Sequence, residues 1–290
     1  MRTHTIVGGG GVSLHVVETG EAKKPAILLL HGISQTWLAW HHQLNSELAA
    51  DFRIVAIDLR GHGRSSKPHD AYQDSRLWAN DVRAVIEALE LDRPILCGWS
   101  YAPLVILDYV RHYGEDDIAG IQFIGGVTRL GSEQALASLT PEFRDLFPGL
   151  FSNVVEESVR SLDGLLHLCL VTEPSQADGY LLLGCALATP PHVRLAMFSR
   201  SLNNDDVLAR LRRPVLITHG TADAVVKSEI VREHTARIKH AQVDLMEGAG
   251  HAPFWENSNA FNQRLAAFAK ECDSRSGRNA FHLRTIPRPQ

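Results

Sequence analysis

Two apolar patterns alternate along most of this chain. Short strand-like stretches (the unbroken apolar run Ala26-Ile27-Leu28-Leu29-Leu30, then Phe52 to Ile57, Pro94-Ile95-Leu96-Cys97, Ile118 to Ile124, Arg213 to Thr218 and Ala241 to Met246) are separated by stretches in which apolar residues recur every three or four positions. The first pattern predicts strands buried on both faces of a parallel sheet, the second amphipathic helices. Residues 74–91 predict one such helix, with Leu77, Val82, Val85, Ile86 and Leu89 toward the core. Others are expected from Trp37 through Leu48, from Leu104 to Val110, from Ser228 to Ile238 and from Asn259 to Glu271. Residues 3–7 and 12–18 predict a hairpin joined through Gly8 to Gly11, glycines supplying the positive φ of a tight return. That glycine run is not a phosphate cradle, since no Lys-Ser/Thr and no helix follows it.

The alternation stops between Gly126 and about Ala209, where a leucine-rich helical pattern is broken by Pro141, Pro148, Pro174 and Pro190-Pro191. Regular β–α alternation with one helical interruption predicts an α/β fold: a mainly parallel sheet with helices on both faces and an inserted helical cap. Residues 1–125 and 210–272 form the expected core and 126–209 the expected cap. Because the interruption follows a strand end, the cap lies over the C-terminal edge of the sheet, where open α/β sheets bind ligands. Residues 273–290, rich in Arg, Ser and Pro, are expected to be a disordered tail.

Composition narrows the partners. With 290 residues, 44% hydrophobic and 21% charged, the chain can bury a large core. A net charge of −4 argues against binding nucleic acid or an anionic membrane through bulk electrostatics. The four cysteines show no C-x-x-C spacing, and Cys97 falls in a buried strand, so no disulfide framework is expected. There is no apolar leader segment and no run approaching the length of a membrane span, which predicts a soluble protein of cytoplasmic type.

Candidate chemistry centres on Cys97-Gly98-Trp99-Ser100-Tyr101-Ala102, between a strand and a helix with Pro103 in its first turn. A serine on a sharp strand-to-helix turn has its hydroxyl pushed out above the sheet, beside a helix N-terminus that favours negative charge. Taken alone, Ser100 could equally be a turn or N-cap serine. A serine nucleophile needs a base, and the base an orienting acid, both reaching the same sheet edge. His251 follows the last strand in Gly248-Ala249-Gly250-His251, and Asp223 follows the preceding one in His219-Gly220-Thr221-Ala222-Asp223. The bland alternatives are a surface-loop histidine and an Asx-turn aspartate. No acid lies just past Ile124, which removes the main rival to Asp223. Two backbone amides should stabilise an oxyanion: that of Tyr101, after the nucleophile, and that of Ile33, in the loop after Leu30. Asp58, Arg60, His62 and Arg64 suggest a hydrogen-bonded loop scaffold rather than a metal site, for which the spacing offers too few ligands.

These pieces together resemble the α/β-hydrolase superfamily, in its small capped branch of esterases, lactonases and cofactor-independent haloperoxidases. The resemblance rests on His31-Gly32-Ile33, Asp58-Leu59-Arg60-Gly61-His62-Gly63-Arg64-Ser65, Gly98-Trp99-Ser100-Tyr101-Ala102, His219 to Asp223 and Gly250-His251. It implies Ser100 as nucleophile, His251 as base, Asp223 as orienting acid and the amides of Ile33 and Tyr101 as oxyanion hole. It implies no cofactor and no metal, and as partner a small-molecule ester or lactone. Two positions depart from the pattern: Ala102 replaces a glycine, and Tyr101 replaces the methionine frequent in the haloperoxidase-like branch. A serine at position 100, rather than an aspartate, argues against haloalkane dehalogenase and epoxide hydrolase chemistry. The expected activity is a serine hydrolase acting on carboxylic esters of small to medium, mostly apolar substrates. A lactonase, a cofactor-free perhydrolase or haloperoxidase, and a slow-turnover ligand receptor remain open beside it.

Overall fold

The computed structural model describes residues 1–282, with side chains described to residue 274. Eight strands form one sheet: β1 Arg2–Val7, β2 Ser13–Thr19, β3 Ala26–Leu30, β4 Arg53–Ile57, β5 Ile95–Trp99, β6 Gly120–Ile124, β9 Val215–Gly220 and β10 Gln242–Met246. Two more, β7 Arg129–Leu130 and β8 Leu202–Asn203, pair only with each other. The sheet order is β1-β2-β4-β3-β5-β6-β9-β10, antiparallel at the β1–β2–β4 edge and parallel elsewhere. Every residue of β3, β4, β5 and β6 is buried, Arg53 and Gln122 included, as strands with helices over both faces require. In the register, Leu28 lies opposite both Val55 and Leu96.

The helices of the two layers are α1 His41–Leu44, α2 Leu48–Asp51, α3 Ser75–Ala88, α4 Ala102–Tyr113, α12 Glu229–Arg237, α13 Pro253–Glu256 and α14 Ser258–His282. The intervening segment carries α5 Glu133–Ala137, α6 Pro141–Asp145, α7 Phe147–Leu150, α8 Val155–Cys169, α9 Gln176–Leu187, α10 Pro191–Phe198 and α11 Asp205–Leu208. The helix expected from Trp37 through Leu48 is a 3-10 turn at Trp37–Trp40 followed by α1 and α2. The β7–β8 ladder joins the two ends of the inserted segment at its base, Leu130 opposite Leu202. Among the described residues no single helix is long and apolar enough to cross a membrane. The bent pair α9–α10 matches a span in length and composition, and Leu182, Ala186, Leu195 and Phe198 of that pair line pockets of the molecule.

One expectation is corrected. The closing helix runs on to His282, so residues 273–282 are helical rather than a disordered tail, while 283–290 lie outside the described residues. Its buried face (Phe261, Leu265, Phe268, Cys272) nucleates the helix, and adding residues to an existing helix is far easier than starting one. The polar composition after Cys272 therefore does not end it.

The glycine run lets the hairpin lean on α3. The Gly9 amide donates to Asp81 Oδ1 at 2.8 Å, and a Cβ on Gly9 would lie 2.4 Å from the Leu77 carbonyl oxygen. Asp81 also receives Arg60 Nε and Nη2, each at 2.7 Å, in a fully buried ion pair. At the antiparallel edge, Glu18 accepts from Arg2 at 2.8 Å and Arg53 at 2.6 Å and meets His4 at 2.9 Å. Burial alone would push the Glu18 carboxyl up, but these three partners hold it at about 2, against an ordinary 4.5. A carboxyl lowered by folding stabilises the native state above its unfolded value and loses that contribution as the pH falls through the folded value. Glu18→Gln is therefore expected to flatten the stability-versus-pH curve between about pH 4.5 and 2, removing about 2–3 kcal/mol of acid-labile stability. Urea unfolding across that range checks it; an unchanged acid limb overturns it.

Candidate active site

Ser100 sits where β5 ends and α4 begins, with φ of 59°, a left-handed conformation that few non-glycine residues adopt. Its amide donates to the Ile124 carbonyl at 2.9 Å, and its own carbonyl accepts from the Val127 amide at 3.0 Å, so the end of β6 and the loop after it grip the turn on both sides. Close approach explains the small neighbours. A Cβ on Gly98 would stand 2.7 Å from Ile106 Cδ1, and one on Gly32 would stand 2.9 Å from the Cβ of Ser100 itself. Ala102, where a glycine was the family expectation, is fully buried as the first residue of α4 and is accommodated.

Asp223 lies just past β9 and His251 just past β10, and the structure brings them together: His251 Nδ1 is 2.8 Å from Asp223 Oδ2. The other carboxylate oxygen, Oδ1, accepts from the amides of Val225 and Val226 at 2.8 and 2.9 Å. Burial works to raise the Asp223 carboxyl, but His251, His219 and the Val226 amide outweigh it and hold the group below its ordinary value. An ionised carboxylate only accepts hydrogen bonds, so the neutral imidazole must carry its proton on Nδ1 and present Nε2 as an acceptor. Nε2 of His251 is buried and has no hydrogen-bond partner among the described residues, Ser100 Oγ included. Close placement is forced here too: a Cβ on Gly125 would lie 2.9 Å from His251 Nδ1 and 3.3 Å from Asp223 Oδ2.

The amides of Ile33 and Tyr101 have no hydrogen-bond acceptor among the described residues, and both residues border the same cavity as Ser100. The loop carrying Ile33 is braced by His31, whose Nδ1 lies 2.7 Å from the Gly32 carbonyl oxygen while Nε2 accepts from the Leu59 amide at 3.0 Å. The loop after β4 is a scaffold of the kind expected: Asp58 accepts from the amides of Trp37 at 2.7 Å and Arg64 at 2.9 Å. Among the described residues no group of three His, Cys, Asp or Glu side chains is placed to hold a metal ion.

Two cavities meet at Ser100. A narrow slot of about 40 Å³ is walled by His251, Trp255, Leu162, Leu166, Leu182 and Ala186. A chamber of about 450 Å³ is walled by Tyr101, Leu139 and the phenylalanines Phe143, Phe147, Phe151 and Phe198. Those four rings touch one another edge-on or tilted, with centroids 5.1 Å apart for Phe147–Phe198 and 5.2 Å for Phe143–Phe147.

Three supports escaped the sequence reading. His219, at the end of β9, places Nε2 3.5 Å from Asp223 Oδ2 and 3.1 Å from the Val226 carbonyl oxygen; its burial keeps it readily deprotonated despite the carboxylate. Glu256 accepts from the amides of Gly250 and Val171, each at 2.6 Å, and of Thr172 at 3.1 Å, tying the end of α8 to the His251 loop. Arg200, just past α10, donates to Asp108 at 2.6 Å and to the Tyr101 hydroxyl at 3.2 Å, with its guanidinium 5.2 Å from the Trp78 ring. Burial pushes the Asp108 carboxyl up to about 6 even with Arg200 opposing it. Only His219 carried a local signal, four residues before Asp223; the Arg200–Asp108 pair joins residues 92 apart with no pattern between them.

The Alpha/beta hydrolase family matches the chain over residues 27–264. An esterase from Rhodococcus sp. ECU1013 is 35% identical, with a TM-score of 0.88 over 93% of this chain and 99% of that one. A Burkholderia cenocepacia protein described as an aryl esterase is 30% identical, with a TM-score of 0.88 over 94% of this chain and 100% of that one. Epoxide hydrolase 1 of Caenorhabditis elegans is 28% identical over 279 residues, 89% of this chain and 68% of the relative.

Proposed function

The chain belongs to the alpha/beta hydrolase family, and from that premise we propose that it is a serine hydrolase cleaving carboxylic esters of small to medium, mostly apolar substrates. The observation that carries this reading is the His251 imidazole: Nδ1 hydrogen-bonded to an ionised Asp223, Nε2 buried and unpaired beside a cavity that Ser100 also lines. What sets this nitrogen apart from other buried histidine nitrogens is its place, on the wall of a cavity that Ser100 shares and on a ring whose other nitrogen meets Asp223. Its role in this reading is to receive the Ser100 proton. Catalytic hydrogen bonds of free enzymes commonly close only when substrate is bound.

In the proposed mechanism the Ser100 hydroxyl adds to the ester carbonyl while its proton moves to His251 Nε2. The negative oxygen is received by the amides of Ile33 and Tyr101, which have no other acceptor and lie near the N-terminus of α4. His251 then gives the proton to the leaving alkoxide, and a water activated by the same nitrogen hydrolyses the acyl-enzyme. Residues 126–209 act as a cap in this reading, supplying the apolar walls of both cavities. The similarity to an epoxide hydrolase bears on the fold and not on the reaction, since a hydroxyl stands at position 100 where that chemistry uses a carboxylate. Similarity to esterases agrees with the ester assignment.

Phenylmethylsulfonyl fluoride tests the reading. The reagent is expected to inactivate the protein with one sulfonyl group, found by peptide mass spectrometry on the segment containing Ser100. Labelling elsewhere, or hydrolysis persisting in fully labelled protein, overturns it.

A further inference from the structure

The two cavities do not share the catalytic groups equally. Ser100, Ile33, Phe143 and Val225 border both, so the serine stands at the neck between them. His251 borders only the slot, and Tyr101 only the chamber. From this asymmetry we infer the direction in which an ester lies: its alcohol half in the slot of about 40 Å³ and its acyl half in the phenylalanine-walled chamber of about 450 Å³. The substrate class is then an ester of a bulky aryl carboxylic acid with a short alcohol. This inference rests on the serine hydrolase reading above.

The chemistry compels the direction. When the bond between the carbonyl carbon and the alkoxy oxygen breaks, the new bond is to Ser100 Oγ, and the serine proton must reach the departing oxygen. Only His251 Nε2 carries that proton, so the departing oxygen lies on the His251 side, which is the slot. The acyl group, still bonded to Oγ, is left on the other side of the neck. The second half-reaction has the same requirement, because the attacking water must stand where the alcohol stood. The slot has room for roughly three waters at ~10–15 Å³ each, or for a methyl or ethyl group. The chamber lies within the ~300–1,000 Å³ of ordinary ligand pockets, and its four rings offer both edges and faces to an aromatic acyl group.

Methyl phenylacetate and benzyl acetate decide the matter, because they are isomers with the ester group reversed and their alcohols are comparable leaving groups. Methyl phenylacetate is expected to be hydrolysed with kcat/KM at least about tenfold above benzyl acetate, a modest difference for a whole ring placed in or out of its pocket. Leu182→Ala, which enlarges only the slot, is expected to raise benzyl acetate relative to its isomer. Leu136→Trp, which fills only the chamber, is expected to lower methyl phenylacetate. The two substitutions act on opposite halves, so one that fails to fold leaves the other to decide. Equal rates or a preference for benzyl acetate overturn the inference, as does a ratio that neither substitution moves. If methyl propanoate is cleaved but neither isomer is, the inference fails and the hydrolase reading stands. If none of the three is cleaved, the hydrolase reading fails and takes the inference with it.

Discussion

Ser100→Ala is expected to lower kcat/KM for ester hydrolysis by at least about 10⁴-fold while leaving the thermal transition in place. The loss is large because the variant retains the oxyanion amides and the cavities but has no atom that can bond to the acyl carbon. What remains is the modest advantage of holding an ester beside two amides and an imidazole. The fold survives because both residues carry a Cβ, so the strain at φ 59° is the same in each, and the hydrogen bonds that fix the turn run through the backbone amide and carbonyl of residue 100. Steady-state kinetics with a thermal melt of the same sample separate the two effects. A variant that keeps more than a hundredth of the activity removes Ser100 from the mechanism.

Asp223→Asn is expected to cost about 10³–10⁴-fold in kcat with little change in KM. Asparagine has one carbonyl oxygen and one amino group, and the site accepts them in one order. The position of Oδ1 faces the amides of Val225 and Val226, so the oxygen must stay there. The amino group then points at His251 Nδ1. Since it can only donate, it forces that nitrogen to accept and moves the imidazole proton to Nε2, where the base is needed. The variant imidazole is held in place with the wrong tautomer. The expected signature is a depressed kcat that partly recovers as the pH rises and hydroxide substitutes for the missing base. An activity within tenfold of the parent at neutral pH overturns the assignment of Asp223.

The sheet was legible because burial on both faces leaves a mark: β3 is apolar throughout, β4 to β6 are mostly so, and all four are flanked by helix periodicity. The candidate site was legible because each of its side chains follows a strand end, where chain order alone says which edge it will reach. The strand pair β7–β8 was not visible, since two residues are too few to show a period. The run of α14 past Cys272 was missed for another reason: local composition says little about a helix already started by its buried face. Arg200, Asp108 and Glu256 went unnoticed because a buried charge with its partner far along the chain resembles any other charge in the sequence. The sizes of the two cavities depend on how α5 to α10 fold over the sheet. That packing joins leucines and phenylalanines whose spacing says only that they are helical.

The ties made by Glu256 and Arg200 bear on how this protein can acquire new specificities. One ties the end of α8 to the loop of His251, the proposed base, and the other ties the chain after α10 to Tyr101, whose amide is a proposed oxyanion donor. Between them α9 meets the loop after β3 through much weaker contacts, Gln35 to the Leu182 carbonyl at 3.4 Å and Thr36 to the Cys185 sulfur at 3.3 Å. If the proposed mechanism holds, substitutions along α9 are expected to reshape what the slot admits while leaving the His251–Asp223 pair in place. On the proposed orientation of the ester, α9 is then the stretch where a directed library is expected to retune alcohol preference at the least expense to turnover.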